Sequence, residues 1–137
     1  MAAAESQPAL TAEAPQATVL IVDDEPDLAQ LIADIAGSQG HRTLIARSGR
    51  AAEKLLAGSL DEIGAIPCDI RMPDGDGPAL YDWLSANRPA LARRIGFVTG
   101  DTLGPSAGRF LAKTGCPVIE KPFTPDDITT VLKALTM

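Results

Sequence analysis

Five side chains in this sequence have the types and positions that phosphoryl chemistry needs. Asp23 and Asp24 directly follow the apolar run TVLIV (18–22), and Asp69 ends a run containing Ile63, Ala65, Ile66 and Cys68. Thr99 follows IGFV (95–98), and Lys121 follows Val118, Ile119 and Glu120. If these runs are neighbouring strands, the carboxylates meet at one edge and repel one another unless a cation is present. Oxygen ligands alone suit a hard divalent ion, and Mg²⁺ accepts a few carboxylates, a carbonyl and waters. A lysine and a hydroxyl beside it suit a bound phosphoryl group, Lys121 as a point charge and Thr99 as a donor. Asp69 would then be the nucleophile, and the product an aspartyl phosphate that an in-line water can hydrolyse. Each residue taken singly has a plainer role. Asp23 and Asp24 can cap a helix, Thr99 can end a strand, and Lys121 can pair with Glu120 or an Asp. The coincidence of all of them after successive runs favours the site.

The elements that must position these groups follow from periodicity. TVLIV is apolar throughout, as expected of a strand covered on both faces. Leu28, Leu31, Ile32 and Ile35 then recur at helical spacing after Pro26. Asp24 is placed to cap that helix, with Asp27 as its capping-box partner, and Gly37 and Gly40 are placed to close it. Thr43 to Ala46 reads as a second strand and Arg50 to Ala57 as a second helix, with a turn over Gly58 to Glu62. The Asp69 strand contains Pro67, which removes an N–H and leaves two outcomes: a strand irregular just before its functional end, or a partner carbonyl satisfied by water. Pro73, Gly75 and Gly77 stop this strand, and Pro78 opens a helix packed through Leu80, Tyr81, Trp83 and Leu84 that ends near Asn87 to Pro89. After the fourth strand a short helix is expected around Arg109 to Lys113. The last helix is the best signposted, with Thr124 as cap, Pro125 first and Asp127 third, then Ile128, Val131, Leu132 and Leu135 as its buried face. Strand–helix units joined by right-handed crossovers make a parallel sheet with helices on both faces, an α/β fold with its ligand groups beyond the strand carboxyl ends.

The bulk numbers agree with one domain of this kind. The chain has 137 residues, 45% of them hydrophobic, and a net charge of −6, which argues against a general nucleic-acid binder. Cys68 and Cys116 lack metal-site spacing, so neither a zinc site nor a disulfide framework is indicated. No apolar run reaches membrane-spanning length, and a cytoplasmic setting with no membrane contact is the expectation. Residues 1–17 are heavy in Ala and Pro and read as a disordered leader or linker, leaving 18–137 as the folded domain. His41 precedes the second strand, on the edge opposite the acids, and reads as an ordinary boundary residue.

Taken together, DDE at Asp23 to Glu25, DIRMP with DG between Asp69 and Gly77, TG at Thr99 and Gly100, and KPF at Lys121 to Phe123 resemble the CheY-like receiver domain of two-component response regulators. The resemblance implies a flavodoxin-like (βα)5 fold, a three-layer α/β/α sandwich with strand order 2-1-3-4-5. It further implies that Asp69 is both the phosphoacceptor and a metal ligand, Asp24 a direct Mg²⁺ ligand, Asp23 a ligand mainly through water, and the backbone carbonyl of Arg71 a further protein ligand. Thr99 would be the switch hydroxyl and Lys121 the lysine that pairs with the phosphoryl group, with a cis Lys121–Pro122 bond. The implied donor is a histidine kinase or histidine phosphotransfer domain. The wording FVTGD and FLAKTGCPVIEKPF resembles the receivers of hybrid sensor kinases, so a covalently attached kinase is also implied, and a homodimer is allowed. Val118 stands where the family usually has an aromatic, which puts the usual aromatic readout in question. Arg71 and Asp101 are expected to pair across the entrance and slow the attack of water.

Two other readings were weighed. A degenerate receiver serving only as a protein-binding module is opposed by retention of every site group. A Mg²⁺-dependent phosphohydrolase would want a second acid close to the nucleophile, and Arg71 stands at that position. The expected activity is therefore phosphoryl acceptance with slow self-dephosphorylation, not metabolic catalysis.

Overall fold

The computed structural model describes residues 17–58, 63–100 and 105–136. The leader expected over 1–17 lies almost wholly outside them, as do most of the Gly58 to Glu62 turn and Asp101. The strands β1 (Thr18–Val22), β2 (Thr43–Ala46), β3 (Ile63–Asp69), β4 (Ile95–Thr99) and β5 (Val118–Glu120) form one parallel sheet in the order β2-β1-β3-β4-β5. Between and after them run α1 (Pro26–Ser38), α2 (Gly49–Ala57), α3 (Gly77–Asn87), α4 (Pro89–Ala92), α5 (Pro105–Thr114) and α6 (Pro125–Thr136). This is the doubly wound architecture expected from the sequence. No helix of the described residues is long and apolar enough to cross a membrane.

Alternation along each strand divides the core between the two faces. Leu20, Val22, Ile66, Cys68, Ile95 and Phe97 pack with Ala52 and Leu56 of α2, Leu80 and Leu84 of α3, and Leu111 of α5. Val19, Ile21, Ala65 and Val98 pack on the other side with Ala29, Ile32 and Ala36 of α1 and Ile128 and Leu132 of α6. A fully buried side chain of this size stabilises by about 1.5–3 kcal/mol, so both helical layers are held mainly by apolar burial.

Pro67 leaves the β4 side of its strand intact because its nitrogen faces the other way. The amides of Ile66 and Ile70 donate to the carbonyls of Arg94, just before β4, and Val98 within it, so strand alternation turns the Pro67 nitrogen toward β1. The β4 register therefore runs without a break from Ile66↔Ile95 through Pro67↔Gly96 to Asp69↔Val98. On the β1 side the register shifts earlier, between the Thr18↔Ile63 and Val19↔Ala65 pairs, and Val22↔Cys68 keeps the register of Val19↔Ala65. The strand is thus irregular at its start and regular where it delivers Asp69.

Helix ends correct the sequence reading in places. Asp24 does not cap α1: the N-cap is Glu25, with no side-chain cap bond, and the box expected with Asp27 does not form. Gly37 lies inside α1, which ends at Ser38, and Gly40 takes the left-handed conformation just beyond. Pro89 starts the extra short helix α4 instead of merely ending α3, because a proline at a first helical position forfeits no intrahelical bond. The helix expected around Arg109 to Lys113 begins four residues earlier, at Pro105. The box at α6 forms as read: Thr124 Oγ1 accepts from the Asp127 amide at 3.1 Å, and Asp127 Oδ2 accepts from the Thr124 amide at 2.8 Å. Thr124→Ala is expected to lower stability by about 1 kcal/mol. In a thermal melt that is a drop of roughly 4 °C, and Thr124→Ser should restore most of it.

Candidate functional site

Sheet register brings the five chemical side chains together. Val22 pairs with Cys68, Asp69 with Val98 and Thr99 with Glu120, so the residues at the strand ends lie on adjacent strands about 4.8 Å apart. The ladder continues past the strands themselves. The Asp23 amide donates to the Ala46 carbonyl at 3.0 Å, the Ile70 amide to Val98 at 3.1 Å and the Lys121 amide to Thr99 at 2.9 Å. Backbone hydrogen bonds therefore hold the main chain at Asp23, just beyond Asp69, and at Thr99 and Lys121.

Asp23, Asp24 and Asp69 each place a carboxylate oxygen within 4.8 Å of the other two. Their surroundings differ. Asp23 is buried, Asp69 half-buried and Asp24 exposed. Asp23 Oδ1 accepts from the Glu25 amide at 2.9 Å, while its Oδ2 is buried with no hydrogen-bond partner. Asp69 Oδ1 accepts from the Arg71 amide at 3.3 Å, which brings the Arg71 backbone to the site. Burial raises the Asp23 carboxyl to about 6; the Glu25 amide opposes that rise, the Asp69 charge adds to it and Lys121 opposes it. Burial also raises Asp69, against the Arg71 amide and Lys121, with the Asp24 charge adding to the rise.

Thr99 is buried at the end of β4. Lys121 reaches the site beside it, its side chain 27% exposed, and its Nζ lies 3.3 Å from Glu25 Oε1. Among the described residues the partner of the lysine is therefore Glu25, and not Glu120 or an aspartate. Glu25 was missed as a functional residue, although it directly follows the acidic pair in the sequence. Gly100 explains how the lysine fits: a β-carbon there would meet the Lys121 stem at 3.2 Å. The Lys121–Pro122 peptide is cis, as the resemblance implied. His41 lies away from these groups, its Nδ1 2.8 Å from the Ala17 carbonyl.

The residues fit a hard divalent cation. The donor set is entirely oxygen, and the unpartnered, buried Asp23 Oδ2 is an orphan that such an ion would satisfy.

Fold and site together define a phosphoacceptor module, and the family comparison agrees: the model of the response regulator receiver domain matches residues 19–133. The chain belongs to the response regulator receiver domain family, the phosphoacceptor domains of two-component signal transduction. A curated relative, the C4-dicarboxylate transport transcriptional regulatory protein DctR of Rhodobacter capsulatus, is 32% identical over 114 residues, 83% of this chain and 57% of that protein. The chain thus spans little more than half of that relative's length. Among solved structures, the receiver domain of NtrX from Brucella abortus aligns with a TM-score of 0.75 at 26% identity, covering 86% of this chain and 97% of that one. The signal receiver domain of a signal transduction histidine kinase from Syntrophus aciditrophicus aligns with a TM-score of 0.73 at 28% identity, covering 88% and 90%.

The buried acid sets a pH dependence. Because the folded state holds Asp23 protonated up to about 6, against 3.8 ordinarily, its contribution to stability is full below pH 4 and is lost as pH rises through 6. Without divalent metal, the protein is expected to be more stable at pH 5 than at pH 7 by about 1 kcal/mol from this group. Asp23→Asn should remove that increment and raise the melting temperature at pH 7. Melts in a chelator at both pH values check this.

Proposed function

We propose that Asp69 accepts the phosphoryl group, with Asp23, Asp24 and the Arg71 backbone carbonyl holding Mg²⁺ beside it. The observation that carries this reading is the buried, unpartnered Oδ2 of Asp23 next to two further carboxylates. Mg²⁺, when bound, supplies positive charge that offsets repulsion among the acids and the incoming phosphoryl oxygens. A carboxylate oxygen of Asp69 attacks phosphorus, forming an O–P bond as the P–N bond of a donor phosphohistidine breaks and the imidazole leaves. The burial that raises Asp69 in the free protein also leaves its carboxylate less hydrated. Lys121 exchanges its Glu25 partner for a phosphoryl oxygen, and Thr99 supplies a hydroxyl donor to a second oxygen. Water attacking the same phosphorus in line later restores the carboxylate and releases phosphate, giving slow self-dephosphorylation.

On this reading the donor is a histidine kinase or a histidine phosphotransfer domain, and residues 18–137 form the receiver behind a leader or linker at 1–17. Similarity to a transcriptional regulator and to a kinase-borne receiver supports a role in switching protein contacts from within a larger assembly. The complete set of acids, hydroxyl and lysine speaks against a degenerate binding module.

Incubation with Mg²⁺ and acetyl phosphate, followed by intact mass, tests the site. One added phosphoryl group is expected, absent in Asp69→Asn and after chelation of the metal. Lys121→Ala is expected to slow uptake by about 10²-fold through loss of charge stabilisation. Undiminished modification of Asp69→Asn would exclude Asp69 as the acceptor.

A further inference from the structure

The loop between β3 and α3 carries Arg71, and its geometry is set from outside the site. Two amides at the start of α2 donate into it: Gly49 to the Gly75 carbonyl at 2.9 Å, and Arg50 to the Asp74 carbonyl at 3.3 Å. These are first-turn amides, which have no partner within their own helix. Ser48, the N-cap, spends its side chain on the next one, Ala51, at 3.0 Å. The three leading amides of α2 are thus divided, one to its own cap and two to the loop.

Neither glycine at this contact can be replaced without moving something. Gly49 is buried, and a β-carbon there would lie 2.8 Å from the Gly75 carbonyl carbon and 3.3 Å from the Asp76 carbonyl oxygen. Gly75 has φ +85°, a left-handed conformation, and a β-carbon on it would meet the Arg50 nitrogen at 3.0 Å. At its far end the loop is tied back to the strand, the Gly77 amide donating to the Ile70 carbonyl at 3.1 Å. Between these ties sits Arg71, whose amide donates to Asp69 Oδ1. The Arg50–Asp74 ion pair at 3.3 Å is solvent-exposed and adds little.

We propose that Gly49 is a positioning residue for phosphoryl transfer: the first turn of α2 clamps the β3–α3 loop and so fixes the Arg71 backbone against Asp69. This rests on the reading of Asp69 as acceptor and Arg71 as a metal-site backbone ligand. Gly49 touches none of the reacting atoms and acts only through the loop.

The test compares Gly49→Ala with Ile128→Val, which trims the core under α6 on the opposite face of the sheet. Three quantities are read on each full-length variant: melting temperature, the Mg²⁺ midpoint by calorimetry, and the rate of phosphoryl uptake from acetyl phosphate at saturating Mg²⁺. Gly49→Ala is expected to raise the Mg²⁺ midpoint several-fold and to slow uptake by roughly tenfold, as a displaced ligand loop should. Ile128→Val should lower the melting temperature while leaving midpoint and rate within about twofold of wild type. Gly75→Ala, strained at φ +85° and pressing the same contact from the loop side at 3.0 Å from the Arg50 nitrogen, should give an effect of the same kind, and it carries the comparison if Gly49→Ala does not fold. A wild-type midpoint and rate in Gly49→Ala, or equal slowing in Ile128→Val, would overturn the proposal. If the wild type itself takes up no phosphoryl group, the reading of Asp69 fails and the Mg²⁺ midpoint alone judges the clamp, an unchanged value overturning it.

Discussion

Like-charge repulsion in a half-dry site is the constraint around which this domain is built. Three carboxylate oxygens within 4.8 Å of one another, one of them on a buried side chain, form an arrangement that an unassisted fold would avoid. It persists because ladder hydrogen bonds hold the main chain at Asp23, beyond Asp69 and at Lys121, and because apolar layers on both faces hold the ladder. The site's destabilisation is thus local, while the energy that tolerates it is spread through the core. The raised carboxyl of Asp23 reflects its burial first, with the neighbouring Asp69 charge adding to the rise.

Lys121 relieves part of the tension and is itself restrained. Its contact with Glu25 keeps the ammonium at the rim, and the missing side chain at Gly100 gives its stem a place to lie. Glu25 is in turn located by its amide, which donates to Asp23. The acidic corner after β1 therefore does two things at once, contributing two carboxylates to the three-acid cluster and holding the site's lysine. Neither Asp23 nor Asp24 caps α1. Asp23 keeps one carboxylate oxygen, Oδ2, without a partner, and the helix opens on Pro26 with no side-chain cap bond at all.

Proline and glycine in β3 and its loop shape how Asp69 is delivered. Because the Pro67 nitrogen turns toward β1, the β4 register stays intact up to Asp69. The aromatic rings are distributed differently from what the family pattern suggests. With Val118 in β5, Phe97 of β4 instead meets Phe110 of α5 edge to face at 5.3 Å, and Phe110 meets Tyr81 of α3 at 5.6 Å. This cluster ties the strand that ends in Thr99 to two helices on one face of the sheet.

Much of this was legible before any coordinates. Apolar runs such as TVLIV, the helical spacing from Leu28 to Ile35 and the Thr124 to Asp127 box are local patterns, and each became the element it signalled. The strands' acidic endings likewise pointed to the three-carboxylate cluster, because parallel crossovers must collect strand ends on one edge. What the sequence could not decide was anything resting on distances between segments remote in the chain. That Lys121 meets Glu25 and not Glu120, that one oxygen of Asp23 is left without a partner, that Asp24 does not cap its helix, and that Gly49 abuts Gly75 are all outcomes of packing. Periodicity reports which way a side chain faces along its own element, whereas only the assembled sheet fixes which groups from different elements come within a few ångströms.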